Sequence, residues 1–309
     1  MWPDIPYARW QATGRSLHMW TQIVGKFRLA QTPWINHSWQ AAFYVTGRGI
    51  TTSIVPGPDH SYEIAFDFVD HQLIVDRTDG RRAVLPLEPM SVADFHARFL
   101  AVLERLGAPT EMHGAPNEVP DPVPFRAQTD PGAYDPDAVR DFWHALVAID
   151  GVFKKFRTGF LGKVSPVHLF WGSFDFAVTR FSGRPAPPHP GGIPALPDTV
   201  TREAYSHEVS SAGFWPGGGG IDYPTFYAYA YPTPDGFGDA PVEPAEAFYH
   251  QDLGEFVLPY DAVRQSADPE ATLMAFLTTT YQAAAKRGDW DRDALEAEFG
   301  VPRVPRAVG

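Results

Sequence analysis

Residues 146–183 read LVAIDGVFKKFRTGFLGKVSPVHLFWGSFDFAVTRFSG, and residues 17–50 read LHMWTQIVGKFRLAQTPWINHSWQAAFYVTGRGI. Each opens with apolar residues at helical spacing: Leu146, Ile149, Val152, Phe153 and Phe156 in one, Leu17, Trp20, Ile23, Val24 and Phe27 in the other. A Lys-Phe-Arg triplet follows in both, Lys155-Phe156-Arg157 and Lys26-Phe27-Arg28. Then come Pro, His and Trp in that order: Pro166, His168 and Trp171, against Pro33, His37 and Trp39. Each ends in a strand-like run, Phe176–Thr179 and Phe43–Thr46, with Arg180 and Arg48 just beyond. An ordered recurrence of this kind is the mark of an internal repeat.

The parallel extends outward. Tyr62 to Phe68 alternates as a half-buried strand does, and so does Thr225 to Tyr231. Leu73–Val75 and Val84–Leu87 read as two strands around an Asp79-Gly80 turn, and Phe256–Pro259 echoes the second. Ser91 is placed to cap a helix with the face Phe95, Phe99, Val102 and Leu103, ended by Gly107. Asp268 and Pro269 open another, with Leu273, Phe276, Leu277 and Tyr281, ended by Gly288. The expected fold is therefore α+β: an internally duplicated helix–antiparallel sheet–helix unit with pseudo-twofold symmetry. The first repeat spans 1–115, the Pro-rich stretch 116–136 connects, and the second repeat spans 137–309. The second half is longer, which places a functional insertion at about 185–222, containing YSHEVSSAGFWPGGGG.

The 309 residues carry a net charge of −12, which argues against nucleic acid as a partner. The absence of cysteine excludes disulfides, thiolate zinc sites and thiol nucleophiles. No apolar run suggests a membrane span or a signal peptide, so the expectation is a soluble cytoplasmic protein, a monomer or weak homodimer.

WTQIVGKFRL, SPVHLFWGSFDFAVTRFSGR, APPHPGG and REAYSHEVSSAGFWPGGGG together resemble a bacterial family known mainly as a domain of unknown function. The resemblance runs from about Trp10 to Trp290. It implies a soluble bacterial protein made of this domain alone, and it carries over no catalytic residue and no substrate.

Chemistry-bearing residues gather around the insertion. His168, His207 and Glu208 are candidate ligands for a divalent metal such as zinc, iron or manganese, although no HExxH pairs them. Without a metal, His207 serves as acid or base, with Glu208, His168 and Tyr205 as catalytic partners. The bland reading makes them hydrogen-bonded loop residues. Arg157, Arg180 and Arg184 crowd a short basic stretch and form an anion clamp if they converge, while Lys154 and Lys155 read as a solvated helix face. Trp215 and Trp171 are candidate pocket walls. Ser210 and Ser211 lack GxSxG, and WPGGGG fits neither GxGxxG nor a P-loop, so a hinge or turn explains the glycines. The expected function is an enzyme acting on a small anionic, partly apolar organic molecule by His/Glu acid–base or metal-assisted chemistry. The alternative is a non-catalytic module that binds a small ligand or another protein.

Overall fold

The computed structural model describes residues 2–306. Helix α1 (Tyr7–Gln31) leads into strands β1 (Tyr44–Thr46), β2 (Gly49–Val55), β3 (Tyr62–Asp67), β4 (Gln72–Arg77) and β5 (Arg82–Pro86), then helix α2 (Val92–Arg105). The five strands form an antiparallel meander in sequence order. Leu17, Trp20, Ile23, Val24 and Phe27 of α1 are all fully buried. Ser91 caps α2 by accepting the Asp94 N–H at 3.0 Å, and Gly107 takes φ 68° just past its end.

After a connector rich in proline, Asp135 caps α3 (Pro136–Thr158) by accepting the N–H groups of Asp137 and Ala138. Next come β6 (His168–Phe170), β7 (Asp175–Pro185), the short helix α4 (Asp198–Ala204), β8 (His207–Trp215), β9 (Thr225–Tyr231), β10 (Phe248–His250) and β11 (Glu255–Pro259). Helices α5 (Tyr260–Arg264), α6 (Pro269–Arg287) and α7 (Arg292–Leu295) complete the described chain. Asp268 caps α6 as its sequence implies, accepting the Ala271 N–H at 3.0 Å. The second sheet is antiparallel throughout, in the order β6-β7-β8-β9-β11-β10. The fold class is thus α+β, with two antiparallel sheets. Their edges meet where Phe43 and Leu169 exchange both backbone hydrogen bonds at 2.9 Å.

Two expectations about strand correspondence differ from the structure. Counted from the shared edge, Tyr44–Thr46 lies where His168–Phe170 does, one strand before Phe176–Thr179; β3 is third and β9 fourth. Alternation looks alike in every half-buried strand, so it does not fix which strand is which. The extra length of the second half also falls in two places. One is 186–206, between β7 and β8, and the other is 232–254, between β9 and β11. Within the expected insertion, His207–Trp215 is no loop. It is a central strand paired along β7 and β9.

The second sheet has two contrasting faces, as strand alternation requires. Phe176, Val178, Phe214 and Phe226 are buried toward α3 and α6, with Phe153 stacked on Phe176 at 5.8 Å. The opposite face carries Asp175, Ala177, Thr179, Ser211, Tyr227 and Tyr229, and this face floors a cavity.

Candidate functional site

The cavity encloses about 510 Å³. Its floor is the second sheet, one wall comes from α1 and residues 34–41, another from residues 113–118, and its roof is the 193–205 part of the β7–β8 connection. Each of these segments is local in sequence and remote from the others, so the site exists only in the folded chain.

The roof is tied down along its length. Glu203 of α4 accepts the backbone N–H of His37 at 2.9 Å, and His37 Nδ1 donates to the Ala204 carbonyl at 2.6 Å. Lys163 Nζ donates to His37 Nε2 at 2.6 Å, the geometry of a neutral imidazole. Burial, with Lys163 adding to it, holds the His37 pKa below the usual histidine value. At the other end the Glu118 N–H donates to Pro194 and the Asn117 side-chain amide to Ala195. His37, Ser38, Glu118 and Ala195 all line the cavity and all have positive φ, at 61°, 59°, 59° and 53°. Non-glycine residues rarely adopt that conformation, and such strain concentrates where side chains are held for a task.

Glu118 and Asp175 are the two carboxyls that line the cavity among the described residues. Asp175 accepts hydrogen bonds from the hydroxyls of Ser173 and Tyr227. Burial pushes the Tyr227 phenol well above its ordinary pKa, and Asp175 adds to that, so Tyr227 stays protonated and donates. The Glu118 carboxyl packs against Gly172, a position where a Cβ would strike it, and has no hydrogen-bond or ion-pair partner among the described residues. Burial pushes its pKa up to about 7, and Asp175 adds to the shift. Glu255, at the start of the next strand beyond Tyr227 and Tyr229, is likewise pushed up to about 7 by burial and by Asp175. Tyr205 and Tyr229 share a hydroxyl–hydroxyl bond of 2.8 Å, and burial raises the Tyr205 pKa to about 12.

Lys26 is the one lysine or arginine lining the cavity among the described residues. Its ammonium donates to Asn117 Oδ1 and lies 5.3 Å above the Trp171 ring. Burial lowers its pKa to about 8. Trp171 reaches this position because residue 25 is glycine: a Cβ there would lie 2.4 Å from the indole. The indole N–H in turn donates to Ala41 at 2.8 Å.

Of the residues singled out by sequence, His168, Tyr205 and Trp171 line the cavity. His168 Nδ1 donates to the Pro166 carbonyl at 2.7 Å, which leaves Nε2 as an acceptor, buried and without a partner. Burial keeps this imidazole neutral by lowering its pKa. His207 does not line the cavity; it sits at the rim, bonded to Ser206 Oγ at 3.1 Å, its ring 6.4 Å from that of His37. Glu208 points to the other face of the sheet, where Arg184 grips it at 2.7 Å and the Ser182 hydroxyl donates at 2.8 Å.

The three arginines do not converge. Arg184 continues from Glu208 to the Gly288 and Asp289 carbonyls at the end of α6. Arg180 lies buried with its guanidinium 3.5 Å above Phe156 and 4.3 Å from the Tyr281 ring, and it donates to the Phe156 carbonyl at the end of α3. Burial lowers its pKa to about 10. Arg157, at the end of α3, also lies outside the cavity lining. Trp215 packs over Gly219 and does not line the cavity either. Among the described residues no group of three or more His, Asp or Glu side chains is disposed to hold a metal ion.

Sequence reading did not single out Glu118, Lys26 or Asp175 as site residues. The available signal was Lys26 itself, a lysine set among buried positions of an apolar helix, where an unpaired charge is costly. Nothing in the Pro-rich connector marked Glu118.

Comparison with known proteins gives the family. A model described as "Family of unknown function (DUF5996)" matches residues 2–297. The chain belongs to that family. No curated protein and no solved structure matches it. Among the described residues no helix is long and apolar enough to cross a membrane.

Proposed function

We propose that this DUF5996 chain is an enzyme that binds a small, largely apolar organic molecule in the cavity and moves a proton on it through Glu118. One observation carries the reading. Glu118 is a half-buried carboxyl lining the cavity, partnerless, held at positive φ, and poised at about 7 beside a second carboxyl whose two oxygens each accept a hydroxyl hydrogen bond. Burying such a group without a partner is costly, and a pKa near neutrality is what a general acid or base needs.

The roles follow from the contacts. Glu118 gives or takes the proton. Asp175, anchored by Ser173 and Tyr227, keeps Glu118 basic. The neutral His168 offers an acceptor in the wall, and the aromatic floor binds the apolar body of the ligand. The arginine clamp expected for an anion plays no part in this reading, because Arg180 and Arg184 are committed elsewhere and Arg157 lies outside the cavity lining.

The test is a carbon-13 NMR titration of labelled glutamate side chains, assigned by Glu118→Gln. Two carboxyls, those of Glu118 and Glu255, should titrate near 7, and the one that vanishes in the variant is Glu118. A Glu118 that titrates near 4.5 would defeat the acid–base reading. A Glu118→Gln protein that turned over a screened compound at the wild-type rate would reduce the site to a non-catalytic binder.

A further inference from the structure

We infer that the ligand of this cavity is an organic cation, an apolar body carrying a protonated amine that sits against Glu118 and Asp175. The inference rests on the cavity being a small-molecule site, as proposed above, and it assigns the chemical class that fits.

The first ground is charge. Glu118 and Asp175 line the cavity, and Glu255 stands close behind the floor tyrosines. The hydroxyls of Ser173 and Tyr227 satisfy Asp175 as hydrogen-bond donors and leave its charge uncompensated. Lys26 does not neutralise Glu118 by contact, since its ammonium is bonded to Asn117 and seated over Trp171. A ligand anion would add a like charge to this set, whereas a ligand cation completes it.

The second ground is the walls. Trp39, Trp171, Phe181, Tyr227 and Tyr229 surround the acids. Faces of aromatic rings attract ammonium groups. Three of these rings already do so from within the chain: Lys26 lies 5.3 Å from Trp171, and Lys163 lies 5.3 Å from Trp39 and 4.9 Å from Phe181. The third ground is the polarity of the unmet hydrogen bonds. The Glu118 carboxylate and His168 Nε2 are acceptors without partners, and His168 is only 1% exposed. They call for N–H donors, which an amine brings and a carboxylate does not.

Binding of a cation and protonation of Glu118 then compete. Below the pH where Glu118 ionises, each pH unit should weaken the complex by up to about tenfold, with release of one proton per cation bound.

The experiment compares three molecules with one body: 3-phenylpropylammonium, 3-phenylpropan-1-ol and 3-phenylpropionate. Isothermal titration at pH 8 and pH 6, in two buffers of different ionisation enthalpy, gives affinity and proton count. The ammonium compound should bind at least about tenfold more tightly than the alcohol at pH 8, weaken at pH 6 and release a proton there. Glu118→Gln should shrink that advantage severalfold and abolish the proton release at pH 6. Propionate or alcohol binding as well as the amine overturns the cation assignment while leaving the cavity as a binding site. If none of the three binds, the assignment also falls, and the NMR titration of Glu118 judges the acid–base reading separately.

Discussion

Asp67 in the first sheet and Glu118 at the second are both carboxyls folded into the protein, and they are treated in opposite ways. Asp67, only 3% exposed, is met by Arg48 Nε at 2.7 Å and by the N–H groups of Val69 and Asp70 at 2.9 and 3.1 Å. Burial alone would raise its pKa, but those partners outweigh it and hold the carboxyl below the usual range. Glu118 has burial and a neighbouring carboxylate, and the charge of Lys26, which makes no contact with it, does not outweigh them. One half of the molecule spends an acid on structure. The other keeps an acid unspent, under a roof, at the pH where protons are exchanged.

The largest expected effect breaks this contrast on the Glu118 side. Its folded pKa, about 7, lies above the value of 4.5 expected in an unfolded chain. Its contribution to stability is therefore intact below about 4.5 and is lost as pH rises through about 7. At 1.36 kcal/mol per unit this is about 3 kcal/mol. Glu118→Gln should match wild type in urea unfolding at pH 4.5 and exceed it by about that amount at pH 8. Equal stability at both values would show that Glu118 is solvated like any surface acid.

The site was only partly legible in the sequence, for a geometric reason. His207 and Glu208 are adjacent and looked like a pair. In a strand, neighbours point to opposite faces, so one reaches the cavity rim and the other the Arg184 side. Glu118, Lys26 and Asp175 are far apart in the chain and meet only because the connector, α1 and β7 pack together. The helices were legible because their signals are local: Ser91 and Asp268 cap, Gly107 and Gly288 terminate, and apolar residues recur at helical spacing between them. Arg180 is a clamp candidate by sequence, but in the fold the aromatic rings around it hold it against the end of α3.

The next prediction breaks the contrast on the Asp67 side. Arg48→Ala leaves Asp67 with its backbone donors but without its cation. Arg48 is half-exposed, so solvent screening should keep the cost at pH 7 small, well below the Glu118 effect. Because the Asp67 pKa is depressed, that stability is present above the unfolded value and is lost as pH falls through the folded one. The difference between Arg48→Ala and wild type should therefore vanish in acid, the reverse of the Glu118 pattern. A difference that persisted at low pH would mean that Arg48 acts through packing.

A smaller effect sharpens the account of Glu118. Lys26 is the one nearby group that lowers its pKa. Lys26→Met keeps the apolar stem and removes the charge, so the NMR titration of Glu118 should move upward from about 7. A downward move would mean that removing Lys26 lets water in, and that the roofed side of the cavity owes its dryness to the Asn117 contact.

The smallest expected effect concerns the roof. Glu203 accepts the His37 N–H and lies within reach of the Trp34 indole at 3.5 Å, joining α4 to the first half. Glu203→Gln keeps the shape and weakens the charge-assisted bond. Segment 193–205 should then exchange its amide hydrogens faster, while the strands beneath, β7 to β9, keep their protection. Water admitted under the roof would restore part of the hydration of Glu118, and its pKa should drift down toward the ordinary carboxyl range. The two readouts must move together. Faster exchange with no change in Glu118 would show that the roof does not govern the hydration of the acid. The high pKa would then have to come from the floor itself, from the Asp175 carboxylate and the tyrosines packed around it.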